Sequence, residues 1–160
     1  MISSPPTMAA TSVDMLSESF ENPMIPLING KTTYATIHSL HKLLNSNAVS
    51  ISTKLGCGTM GHLCLTLSLT VYVTLLETQV LPPTNPISAP VIPAGATGPK
   101  SASLCYTHNA ETIVFNMFQN MDRALYQQML GTVKENFVCD LYMPHRGYRG
   151  SSMIDLLTQL

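Results

Sequence analysis

Charge is what this sequence has least of. Only 11% of its 160 residues are Asp, Glu, Lys or Arg, against about 25% in an ordinary soluble domain. Two readings account for that: a surface partly covered by something else, copies of the chain included, or extended Pro-, Ser- and Thr-rich segments that need no charge to stay solvated. Basic clustering is missing too. Eight Lys and Arg are scattered along a chain of net charge −1, so no stripe of cations is present to neutralise a run of phosphates. No apolar run reaches the ~20 residues of a bilayer span; the longest, residues 63–76, is shorter and carries Ser and Thr. The polar, proline-bearing N-terminus shows no secretory signal. The four cysteines (Cys57, Cys64, Cys105, Cys139) are unevenly spaced. Reduced thiols in a cytoplasmic setting are therefore expected, not a disulfide framework.

The length suits one domain, and the stretch Gly56–Leu76 is its most apolar part. From Leu63 to Leu75 every odd position is Leu or Val, and the even positions are Cys, Thr, Ser and Tyr. That period-2 pattern predicts a strand. Its partner is expected at 48–53, giving a β-hairpin across a glycine loop, because a lone strand leaves its amides unpaired. The partner covers only half of 63–75. From Leu69 the chain either continues as strand or becomes a helix capped by Ser68 or Thr70.

The remaining patterns are helical. Thr32–Asn45 carries Tyr34, Ile37, Leu40, His41 and Leu44 on one face, with Thr32 or Thr33 as N-cap and Asn45 or Asn47 to end it. Ser103–Thr132 holds a 3.6 period through Ile113, Met117, Phe118, Met121, Leu125 and Met129. A short helix over 134–142 is expected, then a loop, then a last helix capped by Ser151 or Ser152. Its pattern is still running at Leu160, as expected of a truncated chain or of one whose relatives continue further. Residues 1–25 show no periodicity and are expected to form a mobile tail. Residues 26–160 form the domain. Within it 81–101, with six prolines, reads as an extended connector.

Sites of chemistry are sparse. Cys57, His62 and Cys64 are spaced C-x4-H-x-C, but a structural zinc needs four ligands and the fourth would have to come from distant Cys105 or Cys139. His38 and His41, three apart on a helix, lack further partners. The glycines of GCGTMGH lack the Lys-Ser/Thr of a phosphate loop. Cys57 or Cys64 beside His62 has no third, orienting group. Arg146 and Arg149 are too few for a phosphate grip. No catalytic, metal or cofactor residue is assigned, and no enzyme is expected.

Taken in order, YATIHSLHKLLNSNAVSI, GCGTMGHLCLTLS, AGATGP, MDRALYQQMLGTV and SSMIDLLTQL resemble the Gag-like N-terminal region of copia-type retroelement polyproteins, closest in look to those of algae and other protists. The resemblance covers about Pro26 to Leu160 and rests on Tyr34, Ala35, Asn47 to Ser50 and Gly61 to Leu63. This chain departs from it over Leu69–Leu75, which is alanine-rich and helical in the family, and around Cys57. The resemblance implies a mainly α, capsid-like domain that associates with itself around element RNA, with RNA contacts in regions outside this chain. Helix faces bearing Tyr34, Ile37, Leu40, Phe118, Leu125 and Leu156 are the expected self-association residues. No membrane or small-molecule partner is expected. The alternative is a cellular binding module that uses 81–101 as a proline-rich ligand or the 63–75 edge for strand addition.

Overall fold

The computed structural model describes all residues except 1–11, 54, 56–57, 77–81, 87–88 and 149. It is mainly helical: α1 (Val13–Glu18), α2 (Tyr34–Ser50), α3 (Leu69–Leu76), α4 (Gly98–Thr132) and α5 (Met153–Gln159), with 3-10 helices at Gly58–Leu65, Glu135–Phe137 and Cys139–Leu141. Among the described residues there is no strand. The nearest approach is an isolated antiparallel bridge between Met143 and Gly147, whose tight turn places Gly147 at φ 60°, a conformation only glycine adopts cheaply.

The helix starts follow local chemistry. Thr33 caps α2 through a reciprocal box: its hydroxyl accepts from the Thr36 amide at 3.3 Å, and Thr36 Oγ1 accepts from the Thr33 amide at 2.9 Å. Ser152 does the same for α5 with Asp155. The Ser152 backbone amide, then its hydroxyl, holds the Asp155 carboxyl below the usual range. Pro99 sits in the first turn of α4, where its missing N–H costs nothing. That helix therefore begins at Gly98 and not at Ser103.

The expected β-hairpin does not form. Its first strand, 48–53, is consumed by α2, which runs on through Ser50 past the asparagines expected to end it. Tertiary contacts override the local signal here: Leu44, Asn47 and Ala48 are all fully buried. Without a partner, 63–75 cannot pair its backbone as a strand. It closes its hydrogen bonds within itself. The 3-10 helix ends where the amides of Thr66 and Leu67 both donate to the Leu63 carbonyl, at 3.1 and 2.9 Å. Then α3 starts from Ser68, whose carbonyl accepts from the Tyr72 amide at 2.9 Å. Threonine is tolerated because its hydroxyl can bond the carbonyl four residues back, as Thr74 does to Thr70 at 2.8 Å.

Three further expectations change. Within 1–25, Val13–Glu18 is helical, and Leu16 and Phe20 are buried against the core. The short helix of 134–142 is two 3-10 turns. The connector of 81–101 is not one extended segment: a turn falls at Ala94–Gly95 and 98–101 belong to α4; residues 81, 87 and 88 lie outside the described residues.

The core joins Leu16 of α1, Leu40, Leu44 and Ala48 of α2, Leu63, Tyr72 of α3, Met121, Leu125 and Met129 of α4, and Met153 and Leu156 of α5. All the buried residues of α4 lie from Phe118 onward. At 1.5 Å per residue this helix is about 52 Å long, against a radius of gyration of about 15 Å for a domain of this length. Its first half therefore runs out beyond the core.

Candidate functional site

The sequence between Lys42 and Lys100 contains only two Asp, Glu, Lys or Arg residues, Lys54 and Glu77. The fold gathers part of this uncharged stretch on one face. Of α3, only Tyr72 is buried; Leu69, Val71 and Leu75 are 56%, 52% and 58% exposed. Beside this face lies a groove of about 240 Å³ between α2, the 66–68 turn, α3 and α5, floored by Ile37, Leu67, Val71, Ile154 and Leu157. Val71 lines both this groove and an open hollow along α3 that it shares with Thr70, Thr74 and Leu75.

Several polar groups of the groove are bonded within the chain. His41 Nε2 lies 2.8 Å from the Thr66 carbonyl oxygen, so that nitrogen carries the proton. The hydroxyl of Thr66 donates to the Leu63 carbonyl at 3.3 Å, and that of Thr158 to the Ile154 carbonyl at 2.7 Å. A surface whose polar atoms are internally bonded loses little when water leaves it. The groove is therefore mainly apolar at its floor, with part of its polar rim bonded within the chain.

The self-association residues expected from helix faces are divided by the fold. Leu40, Phe118, Leu125 and Leu156 are buried and hold the core together, so they are not available to a partner. Tyr34 is 84% exposed and stacks on His38, ring centroids 5.9 Å apart. Ile37 lines the groove. Leu67, Val71, Ile154 and Leu157 were not singled out by the sequence; their convergence comes from three separate elements.

Among the described residues no three His, Cys, Asp or Glu side chains are placed to hold a metal, and Cys57 and Arg149 lie outside those residues. Cys139 is exposed and Cys105 half-buried on α4. Cys64 donates to the Gly61 carbonyl at 3.1 Å. Burial pushes its thiol up to about 11, with the Asp122 carboxylate adding to the effect and its own backbone amide opposing it. At neutral pH this thiol is therefore protonated. Arg146 is exposed.

His62 is wholly buried, with no hydrogen-bond partner for either ring nitrogen among the described residues, and its ring is 6.3 Å from that of Phe118. Burial lowers its pKa from 6.5, and the nearby Ile51 carbonyl opposes this only partly. With the folded pKa below the unfolded one, the unfolded chain takes up the proton first. Stability is therefore full above about pH 6.5 and declines as pH falls below it. Asp122, whose carboxyl is raised by burial and lowered by Arg123, acts in the opposite sense and nearer the carboxylate range. Melting temperature followed by circular dichroism is expected to stay level above pH 7 and drop between pH 6.5 and 5. His62→Leu is expected to flatten that drop.

No described helix is long and apolar enough to cross a membrane. Comparison of the chain with protein-family models, with curated proteins and with solved structures finds no match.

Proposed function

We propose that this chain is a structural, self-associating protein of the Gag or capsid type from a retroelement, working in the cytoplasm by packing against its own copies and without catalysis. The observation that carries the reading is the uncharged, exposed apolar face formed by α3 and the groove beside it. Monomeric proteins rarely leave such a patch open without a partner for it. The mainly helical architecture and the ordered sequence motifs support the same reading. So does the state of His62 and Cys64, since a deeply buried imidazole and a protonated thiol are poorly suited to act as base and nucleophile. Contact with element RNA would fall to regions outside this chain, since its few cations are scattered.

Size-exclusion chromatography with light scattering tests this. The apparent mass is expected to rise with concentration and to survive high salt, because the contact is apolar and salt screens only charge. A single monomeric species at all concentrations, in low and high salt alike, would overturn the proposal.

A second reading is favoured by one observation. Val91 and Ile92, inside the proline-rich segment, are exposed, as a ligand for an aromatic-lined groove would need. Under this reading the chain is a non-enzymatic cellular binding module. Capture of a partner by the isolated 81–101 peptide, and not by the rest of the chain, would select it.

A further inference from the structure

We infer that Asn29–Gly30 is a site of spontaneous backbone modification, where the asparagine closes to a succinimide and reopens in water as aspartate and isoaspartate, loosening the strap it lies in. This holds whether or not the chain associates with itself. Ring closure needs a backbone amide free to attack the side chain of the asparagine before it. The fold sorts the asparagines by that amide. Asn22 and Asn85 precede prolines, whose nitrogens have no proton to lose. The amides after Asn45, Asn47, Asn109, Asn116 and Asn120 lie inside α2 and α4, within the helical hydrogen-bond ladder. The amide after Asn136, that of Phe137, donates to the Lys134 carbonyl at 3.0 Å. Gly30 differs from all of these: among the described residues its amide donates no hydrogen bond.

Asn29 and Gly30 are both exposed. Gly30 holds φ +94°, and nothing lies within 4 Å of where a β-carbon would stand on it. The ring has room to form, and no side chain shields the attacking nitrogen. The Gly30 nitrogen, losing its proton, bonds to Cγ of Asn29; the Cγ–Nδ2 bond breaks and ammonia leaves with that proton. Water then opens the ring. Attack at Cγ gives aspartate. Attack at the main-chain carbonyl carbon gives isoaspartate, with the chain now running through Cβ and Cγ. One water is consumed and one ammonia released, with no oxidant or reductant. Position gives the change a consequence. The Ile28 amide donates to the carbonyl of Thr132, the last residue of α4, at 2.8 Å. The Thr32 hydroxyl donates to the Leu160 carbonyl, just beyond α5, at 3.2 Å. Isoaspartate inserts a methylene into the main chain between these two anchors, so the strap no longer fits both.

The test is peptide mass spectrometry on the full folded chain during incubation at neutral pH, in ordinary water and in water labelled with heavy oxygen. The peptide holding Asn29 is expected to gain a single mass unit, and two more in labelled water. Its rate is expected to exceed that of any other asparagine by roughly tenfold or more, since the others lack a free amide or a following glycine. Isoaspartate is expected beside aspartate, read by isoaspartyl methyltransferase labelling; only a ring intermediate yields both. Asn29→Gln, a change at an exposed side chain, is expected to remove the signal, because its longer side chain closes a larger ring more slowly. In the converted chain, separated by anion exchange, the Ile28 amide is expected to exchange its hydrogen severalfold faster than in the fresh chain. No conversion at Asn29, equal conversion at another asparagine, or aspartate without isoaspartate would overturn the site. An Ile28 amide equally protected before and after conversion would overturn the loosening of the strap.

Discussion

Gly61→Ala is expected to cost about 3 kcal/mol of stability or more and to lower the melting temperature by about 6–12 °C in a chain of this size. A β-carbon built on Gly61 would sit 2.5 Å from the Leu55 carbonyl oxygen, 2.7 Å from Leu55 Cβ and 2.7 Å from Thr53 Cγ2. The first two atoms are fixed to the backbone, so no side-chain rotation relieves the clash. Either 53–55 moves away or the 3-10 helix Gly58–Leu65 shifts. Both disturb the packing of His62 and Leu63, which are buried directly beside it. The cost is steric and not conformational, since Gly61 is not among the glycines with positive φ. Gly131→Ala is the control. It has nothing within 4 Å of the added carbon and lies inside α4, where alanine is the better helix former by about 1 kcal/mol. Thermal denaturation of the two variants is expected to move in opposite directions. A Gly61→Ala protein that melts with the wild type would mean that the close approach of 53–55 to the 3-10 helix is wrong.

Of the residues behind the family resemblance, Tyr34, Ala35 and Ser50 are exposed, while several of the others are packing positions. Asn47, Ala48, His62 and Leu63 are buried. Their order along the chain was readable; their purpose was not, because it depends on what the fold brings beside them. Helix α4 was legible from Met117 to Met129, since its 3.6 period coincides with the buried face. The caps of α2 and α5 were legible because a Thr or Ser with a hydrogen-bonding side chain three residues later is a local device. The hairpin failed for a reason outside any local window. Alternation specifies a strand only if a partner strand exists, and α2 had absorbed the partner. The expected self-association residues divide in an instructive way. An apolar helix face marks what a helix buries, so Leu40, Phe118, Leu125 and Leu156 led to the core. The exposed face of α3 sits on a segment whose pattern looked like sheet, and its groove draws on residues more than a hundred positions apart.

Asn47→Ala is expected to cost about 2–3 kcal/mol and to lower the melting temperature by about 5–10 °C. An asparagine amide makes at most four hydrogen bonds, and here three are made. Oδ1 accepts from the Asn22 amide at 2.8 Å, and Nδ2 donates to the Asn22 carbonyl at 2.9 Å and to Gln128 Oε1 at 2.8 Å. The pair of bonds to one backbone unit fixes which end of the amide is which. Gln128 in turn donates to the carbonyls of Asn22 and Pro23, each at 3.1 Å. This node ties the chain after α1 to both α2 and α4, and Ser46 adds a bond to Glu21. Removing the Asn47 amide takes the acceptor from the Asn22 N–H, leaves the Asn22 carbonyl with Gln128 alone, and takes the donor from Gln128 Oε1. The loss should concentrate on α1, whose Leu16, with Phe20 just beyond it, is held in place by the same clamp. Limited proteolysis is therefore expected to cut within residues 12–25 faster than elsewhere in Asn47→Ala. A double-mutant cycle with Gln128→Ala checks that the two amides act together: the combined loss should fall short of the sum of the single losses by about 1 kcal/mol. Additive losses, with no change in cleavage near α1, would show that the node does not hold that segment to the core.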